Sequence, residues 1–272
     1  MAYRLLVVDL DGTLIGKAGA VREDDIQALV RAREAGIIVV VCTGRMPQAC
    51  RNIFSRLPLN GLHIFYDGAL VAKYPDNGYI LSRGLAKGLV REIVLQSRSR
   101  GTYLELYTSK GYFAERKTDA TRIHTGLLGI EPGIEDLLHI LKEPEKIIKA
   151  GSVALSAEEK KGLVELERYF EGRLRLTWAS APDFPDVDFV NMVHATVSKG
   201  KALQALALHL GISPEEVAAI GDGENDIPLL TTAGLGIAMG TASDKVKKAA
   251  KAVTLSQEEG GVAFAVKNYL GV

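Results

Sequence analysis

Short, continuous apolar runs alternate with amphipathic stretches over the first third of the chain. Leu5-Leu6-Val7-Val8 and Ile37-Ile38-Val39-Val40-Val41-Cys42 predict strands buried on both faces, as in a parallel sheet. Between them, Val21 to Ala35 predicts a helix with Val21, Ile26, Leu29, Val30 and Ala32 on or near one face, stopped by Gly36. Pro47 opens a second helix, to about Leu57, at the position proline prefers. Leu62 to Tyr66 predicts a third strand. A hairpin follows, Ala69 to Lys73 with Tyr79 to Ser82, turned by Pro75-Asp76-Asn77-Gly78. The order βαβαβ implies a parallel, right-handed sheet.

From about Gly84 the pattern changes. Leu85 to Arg100 is helical, and Tyr103 to Thr108 pairs with Gly111 to Glu115 across a tight Ser109-Lys110 turn. A short helix is expected in Glu131 to Leu141, strands at Ile147–Leu155, Arg173–Trp178 and Val187–Val193, and a helix at Ala157–Glu171. Antiparallel strands with intervening helices make a separate α+β unit.

At Ser198, a good N-cap for a helix Lys199–Leu210, the alternation returns. A strand at Val217–Ile220, a helix around Leu229 and Leu230, and a strand at Leu235–Met239 follow. Asp244–Lys251, Ala252–Thr254 and Glu258–Leu270 complete it as helix, strand and helix. The expected fold is α/β: a doubly wound, parallel-sheet (Rossmann-like) core of residues 1–83 and 191–272, interrupted by an α+β domain of residues 84–190.

Composition narrows the partners. Of the 272 residues, 33 are basic and 33 acidic, so charge points to neither nucleic acid nor a membrane surface. No apolar run approaches a membrane span, and the N-terminus lacks a basic segment leading into a long apolar one. The two cysteines, Cys42 and Cys50, have no metal-type spacing and suit a reducing compartment, so a cytoplasmic location is expected.

The chemistry gathers behind the strands. Asp9 and Asp11 follow the first strand two residues apart, so in an extended chain both face what lies beyond its carboxyl end. In open α/β sheets ligands bind there. A helix–loop–helix calcium site is excluded, because Leu14 and Ala20 stand where it needs Gly and Glu. Thr43 follows the second strand; Asp222 and Asp226 follow the strand at Val217. Four carboxylates at one edge, with a hydroxyl and Lys199 near in sequence, call for a divalent cation, and all-oxygen ligands suit magnesium. Such a set suits a phosphoryl group. Asp9 could attack phosphorus and become an aspartyl phosphate. Asp11 could protonate the leaving oxygen and later deprotonate water. Gly234-x-Gly236-x-x-x-Gly240 is a residue too long for a dinucleotide fingerprint, and no Gly-Lys-Ser/Thr phosphate loop occurs.

Asp9-Leu10-Asp11-Gly12-Thr13-Leu14, Thr43-Gly44-Arg45, Ser198-Lys199-Gly200 and Gly221-Asp222-Gly223-Glu224-Asn225-Asp226 together resemble the four ordered motifs of the haloacid dehalogenase-like phosphatases. The late insertion and the Gly-Asp-x-x-Asn-Asp form resemble the Cof-type branch, whose cap lies between the second and third motifs. The resemblance implies roles. Asp9 would be nucleophile and magnesium ligand; Asp11 acid/base and ligand through its carbonyl; Asp222 the third protein ligand, supported by Asp226. Thr43-Gly44 and Lys199 would hold the phosphate, with Asn225 near the phosphate or Lys199. The insertion would be the cap that selects the substrate. One departure stands out: Tyr66-Asp67-Gly68-Ala69 occupies the place where this branch usually has Asn-Gly-Ala.

Taken singly, Lys199 at a helix start reads as solvated, His194 as structural and Glu224 as exposed, while Arg45 fits a surface ion pair as well as a function. Asp183, Phe184, Asp186 and His194 are substrate-contact candidates by position alone. The reading is a magnesium-dependent phosphatase of small phosphorylated metabolites, sugar phosphates first. A phosphosugar mutase and a non-catalytic phospho-ligand module are the alternatives.

Overall fold

The structure, a computed structural model, describes residues 3–16, 19–59, 61–76, 78–181 and 184–272. The chain opens with β1 (Leu5–Val8), α1 (Glu23–Glu34) and β2 (Ile38–Val41). A 3-10 turn at Pro47–Cys50 leads into α2 (Arg51–Phe54), then β3 (Gly61–Phe65), β4 (Leu70–Tyr74) and β5 (Tyr79–Ser82). Next come α3 (Lys87–Arg100), β6 (Glu105–Tyr107), β7 (Tyr112–Ala114), α4 (Asp119–Leu128) and β8 (Gly133–Ile134). They are followed by α5 (Leu137–Ile140), β9 (Lys149–Ala154), α6 (Ala157–Tyr169), β10 (Leu174–Ala181) and β11 (Phe184–His194). The last part holds α7 (Lys199–Leu210), β12 (Val217–Gly221), α8 (Ile227–Thr232) and β13 (Leu235–Ala238). It ends with α9 (Asp244–Ala249), β14 (Ala252–Val253) and α10 (Gly261–Ala265), which widens into a π-helical turn at Val266–Leu270.

Two compact units result: Met1–Gly44, Cys50–Leu81 and Ser198–Val272 form one, Arg45–Ala49 and Ser82–Val197 the other. The sequence boundary at 190/191 falls inside β11, where Asn191 and Met192 pair with Gly151 and Ala150 of β9. Those rungs keep the strand whole and move the division to Val197.

In the first unit a five-stranded parallel sheet runs in the order β14-β13-β12-β1-β2. Leu5 of β1 lies opposite both Val217 and Ile38. Strand alternation sends Leu5 and Val7 into a core with Ala202, Leu203 and Leu206 of α7 and Leu229 and Leu230 of α8. Leu6 and Val8, equally inaccessible, point to the opposite face, where α1 packs on β2 and α10. The sheet is therefore wound on both sides, which is why β1 carries no polar residue.

The third strand departs from the sequence reading. β3 pairs antiparallel with β4 in a separate sheet, order β3-β4-β5, and joins β2 through an isolated parallel bridge between Cys42 and Ile64. The reason is local: the N–H of Val41 donates to Nδ1 of the His63 ring at 3.1 Å, so a side chain replaces a ladder carbonyl. The helix expected from Pro47 to Leu57 is a 3-10 turn followed by the four residues of α2.

The second unit is built on a six-stranded sheet, order β10-β11-β9-β6-β7-β8, antiparallel except for β7 with β8. Val90, Ile93 and Val94 of α3 and Leu163 and Leu166 of α6 pack with Leu106, Ala150, Val190 and Met192 on one face. Ala120 of α4 packs with Val153 and Phe189 on the other. The helix α4 was not anticipated, whereas the short helix expected within Glu131–Leu141 is α5, preceded by the two residues of β8. Among the described residues no helix is long and apolar enough to cross a membrane.

Candidate active site

Every side chain of this site belongs to the first unit. Past Val8 the chain stays in register for one more bond, Asp9 N–H to the Ile220 carbonyl at 3.0 Å, which seats the Asp9 carboxylate just beyond the sheet. Gly12 then turns with φ +88°, and a Cβ there would lie 2.2 Å from Asp222 Oδ2. Glycine is required twice over, for the dihedral and for the approach of that carboxylate. Thr13 Oγ1 donates to Asp222 Oδ1 at 2.9 Å. Sequence reasoning gave Thr13 no role; its hydroxyl in the same loop as Asp11 was the available signal.

Lys199 begins α7, behind a Ser198 cap that accepts from the Lys201 N–H at 3.2 Å. Its Nζ donates to Asp9 Oδ1 and to Asp226 Oδ1, each at 2.6 Å. Asp226 Oδ2 accepts from the backbone N–H groups of Asp222 at 3.1 Å and Gly223 at 2.9 Å. Carboxylate oxygens of Asp9, Asp222 and Asp226 lie within 4.8 Å of one another. So one lysine faces three acids brought from two strand ends.

That imbalance appears as shifted titration. Burial, then the charge of Asp226, pushes the Asp9 carboxyl well above the usual range, against the pull of Lys199. Asp222 is pushed up to about 6, by burial first and then by Asp226. Burial pulls the Lys199 ammonium down, but the charges of Asp226 and Asp9 outweigh it and hold it above its ordinary value. A cluster so crowded, all oxygen in its donors, fits a small divalent cation. The hydrogen bonds from Lys199 and Thr13 fall on one oxygen of Asp9 and one of Asp222, whereas Asp226 is bonded through both of its oxygens.

The remaining candidates divide. Thr43 is buried; its N–H donates to the Ile64 carbonyl at 2.9 Å and its carbonyl accepts from the Asp67 N–H at 3.1 Å. Gly44 lies beside the Asp67 carboxylate, which in turn accepts from Asn225 Nδ2 at 3.0 Å. Asp67 therefore joins the site, where the sequence offered only an unexplained departure. Asp11 is exposed and stands outside the cluster of three carboxylates. Glu224 is exposed and paired with Lys245. In the second unit, His194 bonds Thr196 Oγ1 at 2.9 Å and Arg83 at 3.4 Å, a structural part in the returning segment. Phe184 and Asp186 sit at the start of β11, Arg45 is half-buried, and Asp183 lies outside the described residues.

Residues 6–266 match the model of the haloacid dehalogenase-like hydrolase family. The chain is 29% identical over 291 residues to Phosphatase YwpJ of Bacillus subtilis, covering 98% of this chain and 100% of that one. It is 27% identical over 297 residues to the 5-amino-6-(5-phospho-D-ribitylamino)uracil phosphatase YwtE of the same organism, covering 98% of each. A crystal structure of a haloacid dehalogenase-like hydrolase from Bacteroides thetaiotaomicron superposes with TM-score 0.85 at 26% identity, covering 98% of this chain and 99% of that one. With the four motifs ordered and folded as above, the chain belongs to the haloacid dehalogenase-like hydrolases, in their Cof-type branch.

Proposed function

We propose that the protein is a magnesium-dependent phosphatase that hydrolyses small phosphorylated metabolites, sugar phosphates foremost, through a phosphoaspartyl intermediate. The observation that carries this reading is the buried contact of Lys199 with Asp9 and Asp226, beside Asp222, at the carboxyl ends of β1 and β12. Asp9 attacks phosphorus while the bond to the ester oxygen breaks, and Asp11 gives that oxygen its proton. Asp11 then takes a proton from the water that attacks the phosphoaspartate, releasing phosphate and restoring Asp9. The Thr43 hydroxyl, Gly44, Lys199 and Asn225 hold the phosphoryl oxygens. Asp226 acts indirectly, by gripping Lys199 and the Asp222–Gly223 backbone.

Asp9, Asp222 and the carbonyl of Asp11 would hold the magnesium ion. When bound, the cation neutralises charge on the carboxylates and on the phosphoryl group. Among the described residues a side chain donates to only one carboxylate oxygen of Asp9 and one of Asp222, which supports this choice over Asp226, whose oxygens already accept three hydrogen bonds. In this reading the first unit does the chemistry and the second, built mainly from Ser82–Val197, selects the substrate as a cap. A relative named for a phosphorylated ribityl compound supports a phosphorylated polyol or sugar as substrate class. Cys42 and Cys50 are buried and not joined in a disulfide, which suits a cytoplasmic enzyme.

The test is phosphate release by the purified protein across a panel of sugar and polyol phosphates, with magnesium and with excess chelator. Turnover of several members, abolished by chelator, is the expected result. No release from any member or from an aryl phosphate, with magnesium present, overturns the reading.

A further inference from the structure

The turn after β3 is strained. Tyr66 and Asp67 have φ +52° and +55°, and Gly68 follows at +100°. Gly68 takes such a conformation freely, Asp67 at small cost, but a buried tyrosine does not; strain of this kind costs on the order of 1–3 kcal/mol per residue. It persists because the turn is held from three directions, each a segment that carries a candidate phosphate contact.

The Asp67 N–H donates to the Thr43 carbonyl at 3.1 Å. A Cβ on Gly68 would lie 2.5 Å from the Ser198 carbonyl oxygen, so the turn abuts the residue that precedes Lys199. Asp67 Oδ1 accepts from Asn225 Nδ2 at 3.0 Å. Both Asp67 oxygens lie 3.1 Å from where a Gly44 Cβ would stand, so Gly44 leaves room for this carboxylate. The other oxygen, Oδ2, is buried without a hydrogen-bond partner among the described residues, in a side chain only 3% exposed. An orphaned buried acceptor costs about 1–3 kcal/mol. Glycine would serve a left-handed turn without that cost.

What a carboxylate supplies and an amide does not is one-way chemistry. It only accepts, so the nitrogen of Asn225 must face it, and the flipped amide is excluded. Consistently, Asn225 Oδ1 lies over Gly223, 2.4 Å from where a Cβ there would stand. We propose that Asp67 is a positioning residue: it fixes the Asn225 amide so that the second N–H on Nδ2 is offered to the phosphoryl group. The inference rests on the phosphatase reading above and adds to it the residue that sets one of its donors.

Asp67→Ala, Asp67→Asn, Asn225→Ala and the Asp67→Ala/Asn225→Ala double variant are compared by calorimetric binding of inorganic phosphate in magnesium buffer. The same four are assayed for kcat and KM on an aryl phosphate. One lost hydrogen bond to a charged group, about 1.4 kcal/mol, corresponds to roughly tenfold in affinity. Asn225→Ala and Asp67→Ala should each weaken phosphate binding about tenfold, and the double variant no more than either single one. Asp67→Asn, which keeps shape and turn preference but frees the flip, should fall between them and the wild type while melting near the wild-type temperature. Unchanged or tighter phosphate binding in both Asp67 variants, or losses that multiply in the double variant, overturns the inference. A wild type that binds phosphate but turns over no ester overturns the phosphatase reading instead, and the binding comparison still decides the role of Asp67.

Discussion

Lys199 Nζ lies 2.6 Å from Asp226 Oδ1, and the two side chains are 2% and 1% exposed. The pair ties the start of α7 to the loop after β12, and through Asp9 the same ammonium reaches the end of β1. A buried ion pair seldom stabilises a fold relative to apolar residues of the same shape, but breaking one is costly because the surviving charge is stranded. Here two anions share one cation. The arrangement thus holds a site together at the expense of making that site depend on a single side chain.

Lys199→Met keeps most of the packing and removes the charge. Stranding buried Asp9 and Asp226 should destabilise the metal-free protein by about 3–5 kcal/mol in urea melts at pH 7.5. The loss should shrink at pH 5, where the stranded Asp9 carboxyl, already raised by burial, more readily takes up a proton. Phosphatase turnover should vanish at both pH values. A loss under about 1 kcal/mol would mean that the carboxylates carry no charge in the folded state.

Asp9→Asn separates activity from stability. If Asp9 is the nucleophile, turnover should drop at least about a thousandfold, the scale reached when a covalent nucleophile is removed. Stability should move the other way. Because burial and Asp226 raise the folded pKa of Asp9 well above its unfolded value, its ionisation disfavours the metal-free fold at pH 7.5. That penalty is present above the folded pKa and disappears below the unfolded value, about 4. In chelator, Asp9→Asn should melt higher than wild type at pH 7.5, with the gap closing as pH is lowered toward 4. Retention of more than a tenth of wild-type turnover removes Asp9 from the nucleophile's role.

Magnesium binding can be read without turnover. A ligand present at a hundred times its dissociation constant stabilises the fold by about 2.7 kcal/mol, which is several degrees of melting temperature for a chain of this size. Wild type should show that rise on adding magnesium. Asp222→Asn, which keeps the acceptor for Thr13 but loses the charge, should show little of it. Calcium should raise the melting temperature yet support little turnover, since its larger and looser coordination disturbs in-line geometry. An equal magnesium response in Asp222→Asn would take Asp222 out of the ligand set.

Much of this was legible because the signals were local. Helix α7 begins and ends where Ser198 and Gly211 say it should, a capping serine and a left-handed glycine. The apolar runs of β1 and β2 read as doubly covered strands because nothing polar interrupts them. Helix α4 was missed because Thr121, Ile123 and Thr125 are β-branched and Gly126 lies inside it. It is held by a Thr118 capping box and by packing against Val153 and Phe189, partners distant in sequence. The part of Asp67 was illegible for the same kind of reason. Its left-handed turn is imposed by Thr43, Ser198 and Asn225, and no neighbour in the sequence announces it.

His63 carries the last prediction. Its ring is inaccessible, its centroid 4.9 Å from that of Phe54, and its Nδ1 accepts the Val41 N–H that the β2 edge would otherwise leave unpaired. An accepting Nδ1 puts the proton on Nε2, so the ring is neutral; burial pushes its pKa down to about 4. The unfolded chain, with an ordinary histidine near 6.5, binds the proton more readily. Stability from this group is therefore fully present above about pH 6.5 and is lost as pH falls toward 4. With each pKa unit worth 1.36 kcal/mol, the loss across that window is about 3 kcal/mol. His63→Phe removes the titration while keeping a ring among Phe54, Phe65 and Tyr74. It also orphans the Val41 N–H, a cost of about 1–3 kcal/mol at every pH. Urea melts from pH 7.5 to pH 4.5 should thus show the variant less stable than wild type at the upper end and the two converging, or crossing, at the lower. Parallel curves across that range would mean that His63 takes up its proton as readily in the fold as in the unfolded chain, and that the bond from Val41 to its ring is not made.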